Sequence, residues 1–308
     1  MSQVPDPLLV PASNRSTIVS GNMLAMGSMI AWSMGFPAAD ILLQSWPAQS
    51  LVALRLAVVT AILLPLWVLI DGPRAVMGAR WGRGLLVGGI AFGFGTYLLV
   101  LAQSLTDAVT VAIIASTCPL AAVIIEMVCE GRRLTKGFIV GLFATLIGGL
   151  VATGGGSMAL GLGALAATGS CFLFCWGSFL TVRDFPSLSP IGRSTLTLAG
   201  GCLSMGALTL GLHMWGVDVR PTSTVDLPEI QLILFYAFAG MALSQVMWVA
   251  SVGRLGVAVA SFHINIAPFY VMVLVYALGG SWDLQAALGA GIVAFGVVFA
   301  QKGSATGV

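Results

Sequence analysis

Charged residues are what this chain most lacks: Asp, Glu, Lys and Arg make up only 8% of its 308 residues. A soluble domain normally carries about 25% charged residues, so an ordinary water-facing surface is excluded. The net charge of +2 is too small to attract a nucleic acid. Hydrophobic residues reach 58%, and mean hydropathy is +1.02. We therefore predict an all-α polytopic membrane protein with the lipid bilayer as its solvent and no nucleic-acid partner.

Motifs of reactive or metal-binding residues are also missing. The five cysteines are odd in number and include no Cys-x-x-Cys pair, which argues against a disulfide framework and a zinc site. Cys171 and Cys175 share one helix face, and we interpret them as small apolar packing residues. There is no His-Glu-x-x-His motif, and no deep lysine to form a Schiff base. No metal and no cofactor is predicted, and an intramembrane enzyme is only a distant alternative.

Long apolar runs dominate what is present. A membrane-spanning helix needs about 20 predominantly apolar residues, and ten runs in the chain are long enough. This predicts ten transmembrane helices, packed as a compact bundle because several connections are short. They are numbered segments 1 to 10 in chain order: 18–43, 47–70, 84–104, 107–128, 137–156, 158–180, 189–215, 229–250, 256–278 and 284–302.

The basic residues indicate how these segments are oriented. With the N-terminus in the cytoplasm, 11 of the 13 basic residues lie on the cytoplasmic side, since only Arg55 and Arg220 fall elsewhere. Lys and Arg are enriched in cytoplasmic loops, so both termini are predicted to be cytoplasmic. The expected location is the bacterial inner (plasma) membrane, which the chain crosses many times.

One sequence pattern occurs twice. Residues 97–128, with Pro119, are echoed about 149 residues later by residues 245–278, with Pro268. Each half then holds five segments. Because five is odd, the second half begins on the opposite side of the membrane and is inverted relative to the first. We predict a tail at 1–17, a first five-helix repeat at 18–156, a second, inverted repeat at 157–302 and a tail at 303–308. Inverted repeats are typical of carriers that work by alternating access.

The two matching prolines lie near the middle of segments 4 and 9. Pro119 and Pro268 lack an N–H and clash with the carbonyl group four residues earlier, which frees that carbonyl group. Such groups must find a partner or line a cavity inside a membrane protein. Ser116 and Asn265 flank the kinks and can hydrogen-bond there. The alternative is that the kinks only shape the bundle.

Two deep polar residues are further candidates for the site. Arg55 lies about eight residues into segment 2, on the order of 12 Å from its end, and an arginine at such depth is expected to be functional. It can hold a substrate carboxylate in a bidentate pair, or it can form an ion pair with Asp40. His263 in segment 9 is a candidate for substrate binding or proton transfer, with a neutral packing histidine as the alternative.

Four aromatic residues complete the candidate set: Trp32, Tyr97 and Tyr270 lie deep in their segments, and Trp176 lies somewhat nearer the inner face. The alternative for each is a lipid-facing or packing role. Trp176 repeats Trp32 at a spacing of 144 residues, and deep rings with little charge suit a neutral or zwitterionic, partly apolar substrate. Six other tryptophans are predicted at the membrane interfaces: Trp46, Trp67, Trp81, Trp215, Trp248 and Trp282. The predicted substrate-binding residues are Trp32, Arg55, Tyr97, Ser116, Pro119, Trp176, His263, Asn265, Pro268 and Tyr270.

Several short motifs together resemble a known family. They are Trp32 in segment 1, Leu51-Val-Ala-Leu-Arg55 in segment 2, Thr117-Cys-Pro119-Leu in segment 4, Glu130-Gly-Arg-Arg-Leu-Thr135 after it, and Asn265-Ile-Ala-Pro268-Phe in segment 9. With these motifs the chain resembles the ten-helix drug/metabolite transporter superfamily, specifically its EamA-type exporters, over nearly its whole length. It is most similar to bacterial exporters of aromatic and other neutral amino acids. The turn at 279–283 departs from the family pattern, which has a glutamate there.

The resemblance implies a central cavity lined by segments 1 to 4 and 6 to 9. With the repeat, it predicts export of amino acids, preferably aromatic or bulky neutral ones, by alternating access. The expected partners are the amino-acid substrate and the lipid bilayer, and the expected state is a monomer or a weak homodimer. The alternative is a multidrug or cationic-metabolite efflux carrier of the same superfamily. Such a carrier needs a deep acidic residue, and only Asp40 and Glu126 come near.

Overall fold

The computed structural model of the protein describes residues 15–131 and 158–305, and residues 136, 139–140, 143–144, 147–148 and 151 between them. These residues form helices and turns, and no strand occurs among them. A short helix, Pro73–Met77, connects segments 2 and 3. Most of segment 5 and of the N-terminal tail, and half of the C-terminal tail, lie outside the described residues. The segment helices are Arg15–Leu42 (segment 1), Ala48–Asp71 (2), Trp81–Leu105 (3), Ala108–Ala115 with Cys118–Glu130 (4), Met158–Asp184 (6), Pro190–Met214 (7), Leu227–Leu255 (8), Val257–Ala277 (9) and Leu284–Ala305 (10).

Seven of these helices are long and apolar enough to cross a membrane. They belong to segments 2, 3, 4, 6, 7, 8 and 9 and have 21 to 29 residues each. Segment 1, with 28 residues, also has the length of a span. An all-helical, multi-pass membrane protein is therefore confirmed for the described part of the chain. The total of ten spans, the domain limits, the cytoplasmic termini and the inverted orientation of the second half stay predictions.

Charged residues gather at one end of the helix bundle. Arg83, near the start of segment 3, forms a salt bridge of 2.8 Å with Asp184 at the end of segment 6. Arg193, near the start of segment 7, donates to the backbone carbonyl of Phe185 at 2.8 Å. These contacts bring the ends of segments 3, 6 and 7 together. Arg83 and Arg193 are two of the basic residues that predicted a cytoplasmic side.

The two copies of the repeat carry similar backbone irregularities at matching places. A π-helical turn interrupts segment 3 at Gly88–Phe94 and segment 8 at Phe238–Leu243, about 149 residues apart. Segment 4 breaks at residues 116–117, and segment 9 contains a 3₁₀ turn at Ser261–Ile266. Each break ends two residues before a proline of the repeat, Pro119 or Pro268, which cannot donate the regular helical hydrogen bond.

The segments also pack in pairs that are equivalent under the repeat. Segment 1 packs along segment 8, segment 6 packs along segment 3, and segments 2 and 7 pack on each other. The last group also includes segment 3, because a Cβ on Gly88 would lie 1.7 Å from the carbonyl oxygen of Thr197 in segment 7. Only glycine permits this approach. Such pairing is what two halves related by a twofold axis would produce.

Two tryptophans depart from the interfacial positions that the sequence predicted. Trp67 is 0% exposed because Gly192 of segment 7 packs directly on its ring, where a Cβ would lie 2.6 Å from Nε1. Trp248 is 1% exposed and lies in the interior of the bundle. The prediction was wrong for these two residues because distance from a segment end does not say which neighbours cover a side chain. Trp215, in contrast, is 88% exposed.

Candidate functional site: the central cavity

A cavity lies in the middle of the bundle, between segments 1, 2, 3, 4, 6, 8 and 9. Its volume is about 50 Å³, room for a few water molecules in this conformation. The lining is mostly aromatic and aliphatic with a few polar side chains. Seven of the eight segments that the family resemblance assigned to the lining are represented, all but segment 7.

The cavity wall repeats the same positions in the two halves of the chain. Segments 3 and 8 each contribute five lining residues, and each residue of segment 8 follows its equivalent by 149 positions. The pairs are Ala91 and Gly240, Phe92 and Met241, Gly95 and Ser244, Thr96 and Gln245, and Leu99 and Trp248. The cavity therefore lies between equivalent faces of the two repeated helices.

Segments 1 and 6 line the cavity in the same paired manner. Ser28 corresponds to Ser170 and Trp32 to Phe174, both at a spacing of 142 residues. The sequence echo had paired Trp32 with Trp176 instead. Trp176 is partly buried and packs against neighbouring clusters, two residues beyond the cavity-facing position, so the spacing of 144 residues misassigned it.

An aromatic wall forms one side of the cavity. The rings of Phe92 and Phe174 meet edge to face with centroids 6.1 Å apart, and Phe174 lies 5.3 Å from Trp248. The indole Nε1 of Trp248 donates to Ser178 Oγ at 2.9 Å, which fixes the orientation of the ring. The wall offers a preformed apolar surface to the side chain of a ligand.

Arg55 is the one charged residue among the described residues that line the cavity. It is 4% exposed, and its guanidinium carbon lies 3.7 Å from the ring centre of Tyr236. Within the described part of the chain Arg55 forms no salt bridge, and its Nε has no hydrogen-bond partner. The carboxylate of Asp40 instead accepts from Gln103 at 2.6 Å. The predicted alternative, an ion pair of Arg55 with Asp40, is not formed.

Two glycines make room for the Arg55 guanidinium. A Cβ on Gly240 would lie 2.8 Å from Nη2 of Arg55, and a Cβ on Gly35 would lie 3.3 Å from the same atom. The two glycines also face each other, since the Cβ position of Gly240 is 3.0 Å from Cα of Gly35. Segments 1 and 8 therefore cross closely where the guanidinium enters the cavity.

Trp32 and Arg55 line the cavity, and the other eight predicted residues lie elsewhere in the bundle. Tyr97, Trp176 and Tyr270 are partly buried and pack against hydrophobic clusters. Nδ1 of His263 lies 3.2 Å from the carbonyl oxygen of Ala260. Pro119, Pro268, Ser116 and Asn265 are buried at the two kinks.

The kink in segment 4 is satisfied in a way that the sequence did not indicate. Ser116 donates back to Ala112 at 3.3 Å, while thiols from segment 6 reach backbone carbonyl groups at the kink. The Cys171 thiol lies 4.0 Å from the carbonyl oxygen of Ala115, and the Cys175 thiol lies 3.4 Å from that of Cys118. The two cysteines are therefore hydrogen-bond donors at the kink, in addition to the small packing residues that we expected.

The kink in segment 9 has no such donors among the described residues. Asn265 is 7% exposed, and its Oδ1 is buried without a hydrogen-bond partner. Ile264, four residues before Pro268, corresponds to Ala115 at a spacing of 149 residues, and both residues line the cavity. Its carbonyl group accepts from the backbone N–H of Ala267. The two kinks thus border the cavity, although their polar side chains are used differently.

The two acidic residues that a cation carrier would require do not line the cavity. Asp40 is held by Gln103 as described, and Oε1 of Glu126 accepts from the backbone N–H of Ala258 at 3.1 Å. Among the described residues that line the cavity none is acidic. The cavity therefore favours an anionic group over a cationic one.

The sequence analysis missed most of the lining residues, among them Phe92, Phe174, Gln245 and Trp248. The signal that could have found them is the repeat itself. Lining positions recur at 149 residues between segments 3 and 8 and at 142 residues between segments 1 and 6, so one cavity-facing residue locates its partner in the other half.

Comparison with known proteins agrees with this architecture. The EamA-like transporter family matches residues 19–154. The uncharacterized transporter YyaM of Bacillus subtilis (strain 168) is 23% identical over 289 residues, which cover 91% of this chain and 92% of that protein. A protein of known crystal structure shares the fold with a TM-score of 0.70 at 17% identity, over 92% of this chain and 98% of the other. The resemblance that the motifs predicted is thereby confirmed: the chain is similar to the EamA-like transporter family over residues 19–154.

Proposed function

We propose that the protein exports amino acids, preferably aromatic or bulky neutral ones, by alternating access through the central cavity. The observation that carries this proposal is Arg55, a buried guanidinium on the cavity wall with no carboxylate paired to it among the described residues. An unpaired buried charge is costly. The carboxylate of an amino acid supplies the missing partner.

The surroundings of Arg55 suit such a ligand. Tyr236 holds the guanidinium by stacking, and Nε has no partner among the described residues, so the group can pair with a carboxylate. The rings of Phe92, Phe174 and Trp248 offer a surface for an apolar side chain. The ammonium group of the substrate can lie on a tryptophan face, because indole rings attract cations.

The paired lining positions support alternating access. When equivalent faces of two repeats enclose one site, exchange of the two repeats' conformations opens that site to one side of the membrane and then to the other. The substrate would stay on Arg55 near the centre while the helices around it move.

The test is counterflow of labelled phenylalanine and tryptophan in liposomes that contain the purified protein, with methonium-type dications as competitors. We expect exchange of both amino acids that the dications leave unchanged. Arg55→Met should lower this exchange by about 100-fold because it removes the charged partner. The exchange rate of Arg55→Lys should lie between those of the unaltered protein and Arg55→Met, since an ammonium group neither stacks nor binds in a bidentate pair.

The control is Arg254→Lys, at an exposed arginine outside the cavity, which should leave exchange unchanged. Full exchange by Arg55→Met would contradict the assigned role of the guanidinium. Absence of amino-acid exchange together with transport of the dications would replace amino-acid export with cation efflux.

A further inference from the structure

A second polar side chain faces the cavity without a partner. Gln245 of segment 8 is 5% exposed and lines the cavity, and its amide nitrogen Nε2 is buried with no hydrogen-bond partner. Buried donors are paired in the great majority of cases. The described residues supply no acceptor for this amide, although it lies where a ligand would be.

The equivalent position in the first half is built differently. Thr96 precedes Gln245 by 149 residues and lines the same cavity, but it is only partly buried. Its hydroxyl is not among the buried polar atoms without a partner. The amide without a partner therefore occurs on segment 8 and not at the equivalent position of segment 3. Arg55 likewise lines the cavity from one half only.

The separation of Arg55 and Gln245 limits what a shared ligand can be. The Arg55 guanidinium lies against Gly240, and Gln245 follows Gly240 by five residues on the same helix. The two positions are therefore more than one helical turn apart. A ligand that pairs with both donors needs a second acceptor several ångström from its carboxylate.

We propose that Gln245 is a specificity residue that donates a hydrogen bond to a hydroxyl oxygen on the ring of the substrate. The preferred substrates are then aromatic amino acids with a ring hydroxyl group, as in tyrosine. This assignment rests on the proposed function, with the carboxylate on Arg55 and the ring on the aromatic wall. A site built to bind a hydroxyl group discriminates against the analogue that lacks it, because its own polar group is then left unpaired.

The test compares tyrosine with phenylalanine as counterflow substrates of one liposome preparation. The unaltered protein should favour tyrosine by at least about tenfold. Gln245→Leu should bring the ratio to about one by losing tyrosine exchange while phenylalanine exchange persists. Gln245→Asn, which keeps the amide but shortens its reach, should give an intermediate ratio.

Thr96→Val is the matched control, because it removes the polar group at the equivalent position of the other half. Whatever its effect on overall rate, it should keep the preference for tyrosine. A preparation with no preference, or a preference that survives in Gln245→Leu, would overturn the role of Gln245.

A second measurement separates this inference from the proposed function. Binding of 3-(4-hydroxyphenyl)propionate and 3-phenylpropionate, which lack the amino group, is followed by the fluorescence of the cavity tryptophans. If neither amino acid exchanges but the hydroxylated acid binds more tightly only when Gln245 is present, the assignment of Gln245 stands and amino-acid export falls. In the opposite outcome, phenylalanine exchanges while the protein distinguishes neither tyrosine from phenylalanine nor the hydroxylated acid from 3-phenylpropionate. That result would support amino-acid export and contradict the role of Gln245.

Discussion

Two hydrogen bonds occupy equivalent places in the two halves of the cavity. Ser28 Oγ donates to the carbonyl oxygen of Ser244 at 2.7 Å, and Ser170 Oγ donates to that of Gly95, also at 2.7 Å. Each acceptor directly follows a π-helical turn. Both halves therefore tie a long helix to the irregular point of its neighbour with the same contact.

The helix crossings beside these hydrogen bonds differ between the halves. Where segments 3 and 6 cross, Gly177 packs on Ala91, and a Cβ on Gly177 would lie 2.4 Å from the Ala91 Cβ. Where segments 1 and 8 cross, the equivalent residues are Gly35 and Gly240, and the space beside them holds the guanidinium of Arg55. The repeat gives the two crossings the same packing arrangement. Where the sequence departs from the repeat, as at Gly240, the cavity gains a polar group such as the Arg55 guanidinium.

The largest expected effect comes from making the second crossing resemble the first. Gly240→Ala adds the Cβ that Ala91 already has, at 2.8 Å from Nη2 of Arg55. We expect the guanidinium to be displaced and amino-acid counterflow to fall by about 10- to 100-fold, since small misplacements of binding groups are costly. Ala91→Gly is the reverse exchange and should lower counterflow far less. Equal losses in the two variants would mean that the crossing does not position Arg55.

An intermediate effect is expected from the shared serine contacts. Ser28→Ala and Ser170→Ala each leave a buried carbonyl group without its side-chain donor, which should lower the free energy of unfolding by about 1–3 kcal/mol. The two losses should be similar, within about 0.5 kcal/mol. Unfolding of the purified variants in detergent measures both. If one serine mattered and the other did not, the two halves would not share this framework.

The smallest effects are expected at the two proline kinks. Cys175→Val removes the thiol that reaches the carbonyl oxygen of Cys118 and should cost about 1 kcal/mol of unfolding free energy, whereas Cys175→Ser keeps a donor and should cost less. Asn265→Leu removes a buried oxygen that has no partner, so stability should stay within about 1 kcal/mol or rise. Unfolding in detergent checks all three. A folded Asn265→Leu protein without transport would instead support the substrate contact that the sequence predicted.

The elements were predictable from the sequence because the bilayer imposes both length and apolarity on every spanning helix. Segment 7, predicted at 189–215, is the helix Pro190–Met214, and segment 4 breaks beside its proline as expected. The site was less predictable. Trp32 and Arg55 were chosen for their depth along a segment, and both line the cavity. The segments are apolar on all sides, however, so the pattern does not say which face turns inward. For this reason Trp248 was assigned to the interface although it lines the cavity.

By itself the sequence determined that the chain is a helical membrane transporter with equivalent positions in two halves, because composition, segment length and residue spacing are local properties. Only the tertiary structure decided which polar groups are satisfied within the protein. Asp40 meets Gln103, the thiols of segment 6 meet the kink of segment 4, and Arg55 and Gln245 are left facing the cavity. These outcomes depend on how each helix is rotated and crossed against neighbours far away in the chain, and no local pattern encodes that rotation.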